Sequence, residues 1–230
     1  MTDPGLPDML ASLDTAYGQL TAVVSDLSEA DLMRRSRCAG WAVADVLYHQ
    51  LLDARRALRA FATPADRPPD RDYISYWREY APDGGVPPGG DDAAAHARFV
   101  RIVSSAYSPG SLAWEWTETA AAACLAGRAC PHEAVATQGF SLSVAGFTAT
   151  LVVEAAVHYL DLMLELPGAP EPAAGPLRLV REVLEGLAGT PLPPGWDDVT
   201  CALKATGREP LTEQERDQLG PLEERFPLFG

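Results

Sequence analysis

VAGFTATLVVEAAVHYLDLMLEL, residues 144–166, is the longest apolar helical stretch of the chain, and it carries ionisable side chains within it. Glu154, His158, Asp161 and Glu165 follow one another at intervals of four, three and four, so on an α-helix they form one polar stripe. The other faces are Leu, Val, Ala, Met, Phe and Tyr, the surface of a helix buried among other helices. An unpaired buried charge costs several kcal/mol, so the stripe must either face solvent or be satisfied by a metal, a ligand or a counter-charge. The stretch has about the length of a membrane span, but three ionisable groups near its centre argue against that role.

Around this helix the chain has 230 residues, enough for one sizeable core, with an ordinary balance of 47% hydrophobic and 22% charged residues. A formal net charge of −14 disfavours nucleic acid and anionic membranes, both of which need a basic face. The expected partner is a small molecule, and the oligomeric state, monomer or homodimer, is open. The N-terminal Met1-Thr2-Asp3-Pro4-Gly5 has no basic, apolar leader, which suggests a cytoplasmic protein. Cys38, Cys124, Cys130 and Cys201 form no CxxC pair and read as buried thiols. Lys204 is the only lysine among 18 basic residues, as expected of a GC-rich coding genome.

Apolar periodicity predicts a helix over Leu6–Leu27 and another over Val43–Phe61, where Val43, Val46, Leu47, Leu51, Ala54, Leu58 and Phe61 make the core stripe. Asp45, His49 and Asp53 lie beside that stripe at intervals of four. Residues 63–90 are rich in Pro, Asp and Gly around an aromatic island, Tyr73 to Trp77, and read either as a lid over a cavity or as a surface crossover. Helices are expected at Asp91–Ala106 and Ser111–Ala126, a loop with a short extended piece at Gly127–Ser143, and further helices at Leu177–Leu187 and Thr212–Leu219. The expected organisation is a helical bundle over 1–168, a linker over 169–176 and a mixed C-terminal segment over 177–230 packed on the bundle.

The chemistry centres on Glu154 and His158, which offer an oxygen and a nitrogen from adjacent helical turns to a divalent metal. His49 is the natural third ligand, because bundles build metal sites from facing helices. The same Glu/His spacing also suits an ordinary hydrogen-bonded stripe. His96 lies on a polar helix start and His132 in a loop. A rival set of Cys124, Cys130 and His132 falls outside the usual zinc spacings. Asp161 can orient a ligand imidazole or be a plain surface acid. Arg208, in a turn after Gly207, can aim its planar fork at an anionic group or pair with Glu209 or Glu213. No G-x-S-x-G, Walker or dinucleotide glycine motif is present.

The segments GWAVADVLYH (40–49), VEAAVHYLD (153–161), GREPL (207–211) and FPLFG (226–230) together resemble the mycothiol-dependent maleylpyruvate isomerase family of actinobacteria across nearly the whole chain. The resemblance implies a mainly α, DinB-like four-helix bundle with a long crossover loop and a short mixed C-terminal segment. It implies a zinc ion on His49, Glu154 and His158, and mycothiol as the thiol cofactor. It also implies a C-terminal arginine near the active site, for which Arg208 is the candidate. The expected activity is isomerisation or S-conjugation of a small electrophile. A metal-dependent lyase, hydrolase or cyclase working without thiol, for example in natural-product biosynthesis, and a non-catalytic small-ligand-binding protein fit the same residues.

Overall fold

A computed structural model describes residues 4–80, 93–166 and 168–229. In chain order the helices are α1 (Leu6–Val24), α2 (Glu29–Leu32), α3 (Val43–Phe61), α4 (Ala93–Ser104), α5 (Pro109–Ala129), α6 (Val144–Leu162), α7 (Ala174–Ala188), α8 (Asp198–Ala205) and α9 (Glu213–Leu219). Strands β1 (Ala134–Thr137) and β2 (Phe140–Ser143) form an antiparallel hairpin, and 3-10 turns occupy Ser75–Tyr80 and Gly220–Arg225.

Each long helix starts where its sequence supplies a terminus. Ser143 accepts a hydrogen bond from the Gly146 N–H at 2.9 Å and opens α6. Asp45 reaches back to the Ala42 N–H at 2.9 Å and opens α3. Ser108 accepts from the Ser111 N–H, and Pro109 follows at the first helical position, so α5 begins earlier than its apolar period suggests and runs to Ala129. Four helices make the bundle: α1 and α3 each pack on both α5 and α6, which places α1 diagonally from α3 and α5 diagonally from α6. Nearly all of α6 is buried, with only Glu154 partly open. Side chains such as Phe147, Leu151 and Leu162 contribute about 1.5–3 kcal/mol each by leaving water. Among the described residues no helix is long and apolar enough to cross a membrane.

Residues 73–77 are more deeply packed than the composition around them suggests. Tyr73, Ile74, Tyr76 and Trp77 are all buried, Ile74 lies against Gly186 of α7, and Trp77 stacks on Phe229 with ring centroids 4.5 Å apart. The aromatic island is therefore a wall of the core, because its side chains gain more by burial than a solvent-facing lid would allow. The Gly- and Pro-rich part of the expected lid, residues 81–90, and the expected helix start at 91–92 lie outside the described residues.

After the bundle, α7 packs on α6, α1 and α8. Thr206 closes α8, Gly207 follows at φ 73°, the Gly207 N–H reaches Lys204 O at 3.2 Å, and the Arg208 N–H reaches Leu203 O at 2.8 Å. This is a Schellman terminus, and it fixes the direction in which Arg208 leaves the helix. A Cβ on Gly207 would meet Pro227 atoms at 3.2 Å as well as straining the left-handed backbone. Gly207→Ala is expected to lower the unfolding free energy in urea by about 1–2 kcal/mol.

Candidate metal centre

α3 and α6 bring His49 and Glu154 together across 105 positions of sequence: His49 Nε2 lies 3.0 Å from Glu154 Oε1. One turn further along α6, His158 Nε2 lies 3.4 Å from the same oxygen. Two imidazole nitrogens thus converge on one carboxylate oxygen, and ligand atoms of His49, Glu154 and His158 all lie within 4.8 Å of one another. Zinc bonds of about 2.0–2.1 Å in tetrahedral geometry set donor atoms roughly 3.3 Å apart. The two measured edges bracket that value, so this donor set fits a divalent ion of the zinc type.

The outward ring nitrogens are also held. His158 Nδ1 lies 2.9 Å from Asp161 Oδ2, and His49 Nδ1 lies 3.3 Å from His96 Nε2. A proton on His158 Nδ1 facing a carboxylate leaves Nε2 with its lone pair toward Glu154, the tautomer that metal ligation needs. Asp161 is fully buried and has three partners. Besides His158, Arg208 Nε donates to its two oxygens at 2.9 and 3.1 Å, and the Cys38 thiol donates to Oδ2 at 3.1 Å. Arg208 therefore pairs with Asp161 and not with its sequence neighbours Glu209 or Glu213. Trp41 flanks the site, its ring centroid 5.4 Å from that of His49.

Electrostatics follow from this packing. Burial raises the Asp161 carboxyl, but the His158 hydrogen bond and the Arg208 guanidinium outweigh it and bring it down to about 2. Burial likewise works against ionised Glu154, yet its hydrogen bonds from His158 and His49 hold it well below the usual carboxylate range. For His158, burial disfavours the imidazolium, and the contacts to Asp161, Cys38 and Glu154 overcome that and push its pKa well up. A carboxyl whose folded pKa is depressed stabilises the fold above its unfolded pKa, and the contribution is lost as pH falls through the folded value. Acid unfolding is thus expected to steepen from about pH 4 toward pH 2, and Asp161→Asn is expected to flatten that limb in a pH-jump urea series.

Cys38 and His96 complete the surroundings of the site, and neither stands out in the sequence. Cys38 Sγ, His158 Nδ1 and Asp161 Oδ2 form a second close donor group, but Arg208 already neutralises Asp161. Cys124, Cys130 and His132 form no ligand group among the described residues. Glu165 lies past the end of α6, where it accepts from the Arg35 N–H at 3.1 Å, away from the centre.

A helical bundle in which two histidines and a glutamate converge from facing helices offers a donor group of the kind that can hold a metal ion. The chain belongs to the family described as the mycothiol maleylpyruvate isomerase N-terminal domain, whose model matches residues 13–163, a span that includes His49, Glu154 and His158. Two solved structures share the fold: a mycothiol-dependent maleylpyruvate isomerase, 15% identical with a TM-score of 0.59, and a histidine-to-alanine variant of such an enzyme, 16% identical with a TM-score of 0.60. Each alignment covers 91% of this chain and 93% of the other. The DinB-like four-helix bundle is thereby established, and by name the family and both structural neighbours are isomerases. A comparison with curated protein sequences finds no match.

Proposed function

We propose that the protein is a zinc-dependent enzyme that uses a low-molecular-weight thiol of the mycothiol type to isomerise or S-conjugate a small electrophile. The observation that carries this reading is the convergence of His49 Nε2 and His158 Nε2 on Glu154 Oε1 in a chain of this family. His49, Glu154 and His158 would hold the metal, and three protein ligands leave room for an exogenous group. When bound, the metal lowers the pKa of a thiol and so favours the nucleophilic thiolate. The chain's own residues hold this arrangement in place: Asp161 fixes the His158 tautomer, His96 meets the far side of His49, and Arg208 keeps Asp161 ionised. Reversible thiolate addition to an activated C=C bond, rotation about the resulting single bond and elimination would isomerise the alkene and return the thiol. Retention of the adduct would give conjugation. We place the enzyme in the cytoplasm, where reduced thiol is abundant and its four cysteines stay free.

The test is elemental analysis of the purified protein, followed by turnover of a cis-enoic electrophile with and without mycothiol. Near-stoichiometric zinc and thiol-dependent turnover are expected. Turnover that ignores the thiol would replace this reading with metal-dependent lyase, hydrolase or cyclase chemistry. In the same assay Arg208→Lys is expected to lower zinc affinity and turnover together, because an ammonium cannot reproduce the planar guanidinium contact that holds Asp161 against His158; unchanged kinetics and zinc content would make Arg208 a purely structural residue.

A further inference from the structure

The outward face of α5 carries a pattern that the bundle does not explain. Ser111, Trp114, Glu118, Ala121, Leu125 and Arg128 are all exposed, and they follow one another at intervals of three, four, three, four and three. On a helix that spacing makes one lengthwise stripe, the seam along which two helices interlock. The stripe stands opposite the buried Leu112, Trp116, Ala120 and Ala123, on the far side of the bundle from α6 with its Glu154 and His158. Trp114 is 66% exposed and Leu125 63%, so this fold leaves most of two large apolar side chains in water. Tryptophan is enriched where proteins meet one another.

The stripe is its own complement. Its intervals read the same in both directions, so a second copy laid antiparallel about a two-fold axis between Thr119 and Ala120 sets each Trp114 against the partner's Leu125 and each Glu118 against the partner's Ala121. Bulk is thereby placed toward the ends of the seam, and Ala121 and Ala122 near the axis allow close approach of the two backbones.

Charge and size agree with a second copy as the occupant. At a net charge of −14 two chains repel across most of their surface. The stripe, with one acid and one base, is neutral. Arg128 pairs with Asp14 of α1, and the exposed Ala11, Gly18 and Ala22, which lie three, four and eight residues from Asp14, continue the uncharged surface onto that helix. α5 has 21 residues and is about 31 Å long. A face of that length and two helices wide covers about 600 Å² in projection, comparable with the roughly 800 Å² of accessible surface per partner in a standard interface.

We propose that the outward face of α5, bordered by α1, is a homodimer interface in which a second copy of this chain lies antiparallel along the stripe from Ser111 to Arg128. The contact is isologous and closes on itself, and it leaves both metal centres facing away from the partner.

The test is sedimentation equilibrium of the purified full-length protein from about 1 to about 200 µM, a range that reaches the weaker interfaces of this size. A reversible monomer–dimer equilibrium is expected. Trp114→Glu and Leu125→Glu are each expected to weaken it at least about thirtyfold, the effect of losing a central anchor, with circular dichroism and zinc content as in the wild type. Both positions are exposed, so neither substitution disturbs the core. The register has its own readout: under mild oxidation Glu118→Cys/Ala121→Cys is expected to give a disulfide-linked dimer in greater yield than the wild type or either single variant. A wild type that stays monomeric throughout the range, or a dimer that persists in both folded glutamate variants, overturns the interface. Cross-linking no greater than in the wild type overturns the antiparallel register.

Discussion

Glu154→Ala is expected to strip the protein of its metal. The carboxylate oxygen of Glu154 is the atom on which both imidazoles converge, so its removal takes away the only anionic member of the proposed ligand set and the hydrogen-bond acceptor that orients His49. His49→Ala and His158→Ala each remove one nitrogen and are expected to fall in the same class. Elemental analysis of the purified variants should show zinc near background, against close to one ion per chain in the wild type. Asp161→Asn keeps all three ligands and is expected to lose about tenfold to a hundredfold in affinity, the usual effect of altering a group that orients a ligand imidazole. The sign of the pH dependence follows from His158: its pKa is pushed well up in the metal-free protein, so metal must displace a proton, and affinity should rise with pH until that proton is gone. Equal zinc retention across the four variants would refute the ligand assignment.

The second large effect concerns stability. Asp161 has no exposed surface and is the common partner of His158, Arg208 and Cys38. Asp161→Ala leaves the Arg208 guanidinium, only 12% exposed, without its counter-charge. Breaking a buried pair by removing one partner typically costs about 3–5 kcal/mol, a large fraction of the total stability of a domain. Urea unfolding should show a strongly lowered midpoint with an unchanged slope. Asp161→Leu/Arg208→Met is expected to recover much of the loss, because it abolishes both charges instead of stranding one. A single variant within about 0.5 kcal/mol of wild type would show that solvent reaches the guanidinium after all.

Much of this arrangement is legible in the amino-acid sequence. α3 and α6 announce themselves through their apolar stripes, with Glu154 and His158 one helical turn apart on α6 and His49 beside the stripe of α3. What the sequence conceals is contact between distant parts. His96 reaches His49 only because α4 is laid against α3, and Cys38 reaches Asp161 only because the loop before α3 meets the end of α6. A sequence displays local charges, so it offers Arg208 the adjacent glutamates as partners; the actual one is 47 positions away. The hairpin of four-residue strands is too short to reveal an alternation, and its Gln-Gly turn is not one of the strong turn signals. The aromatic island is visible as composition, but whether it covers a cavity or fills the core depends on α7 and Phe229, which lie about a hundred residues or more further on.

The Schellman terminus of α8 also bears on how modular this chain is. The family's domain, as its model matches this chain, ends at residue 163, so it contains the carboxylate of Asp161 but not the guanidinium that neutralises it. The two regions are therefore not exchangeable parts. A graft that joined this bundle to another C-terminal segment would have to bring an arginine to the same place, with a turn that aims it at the acid it serves.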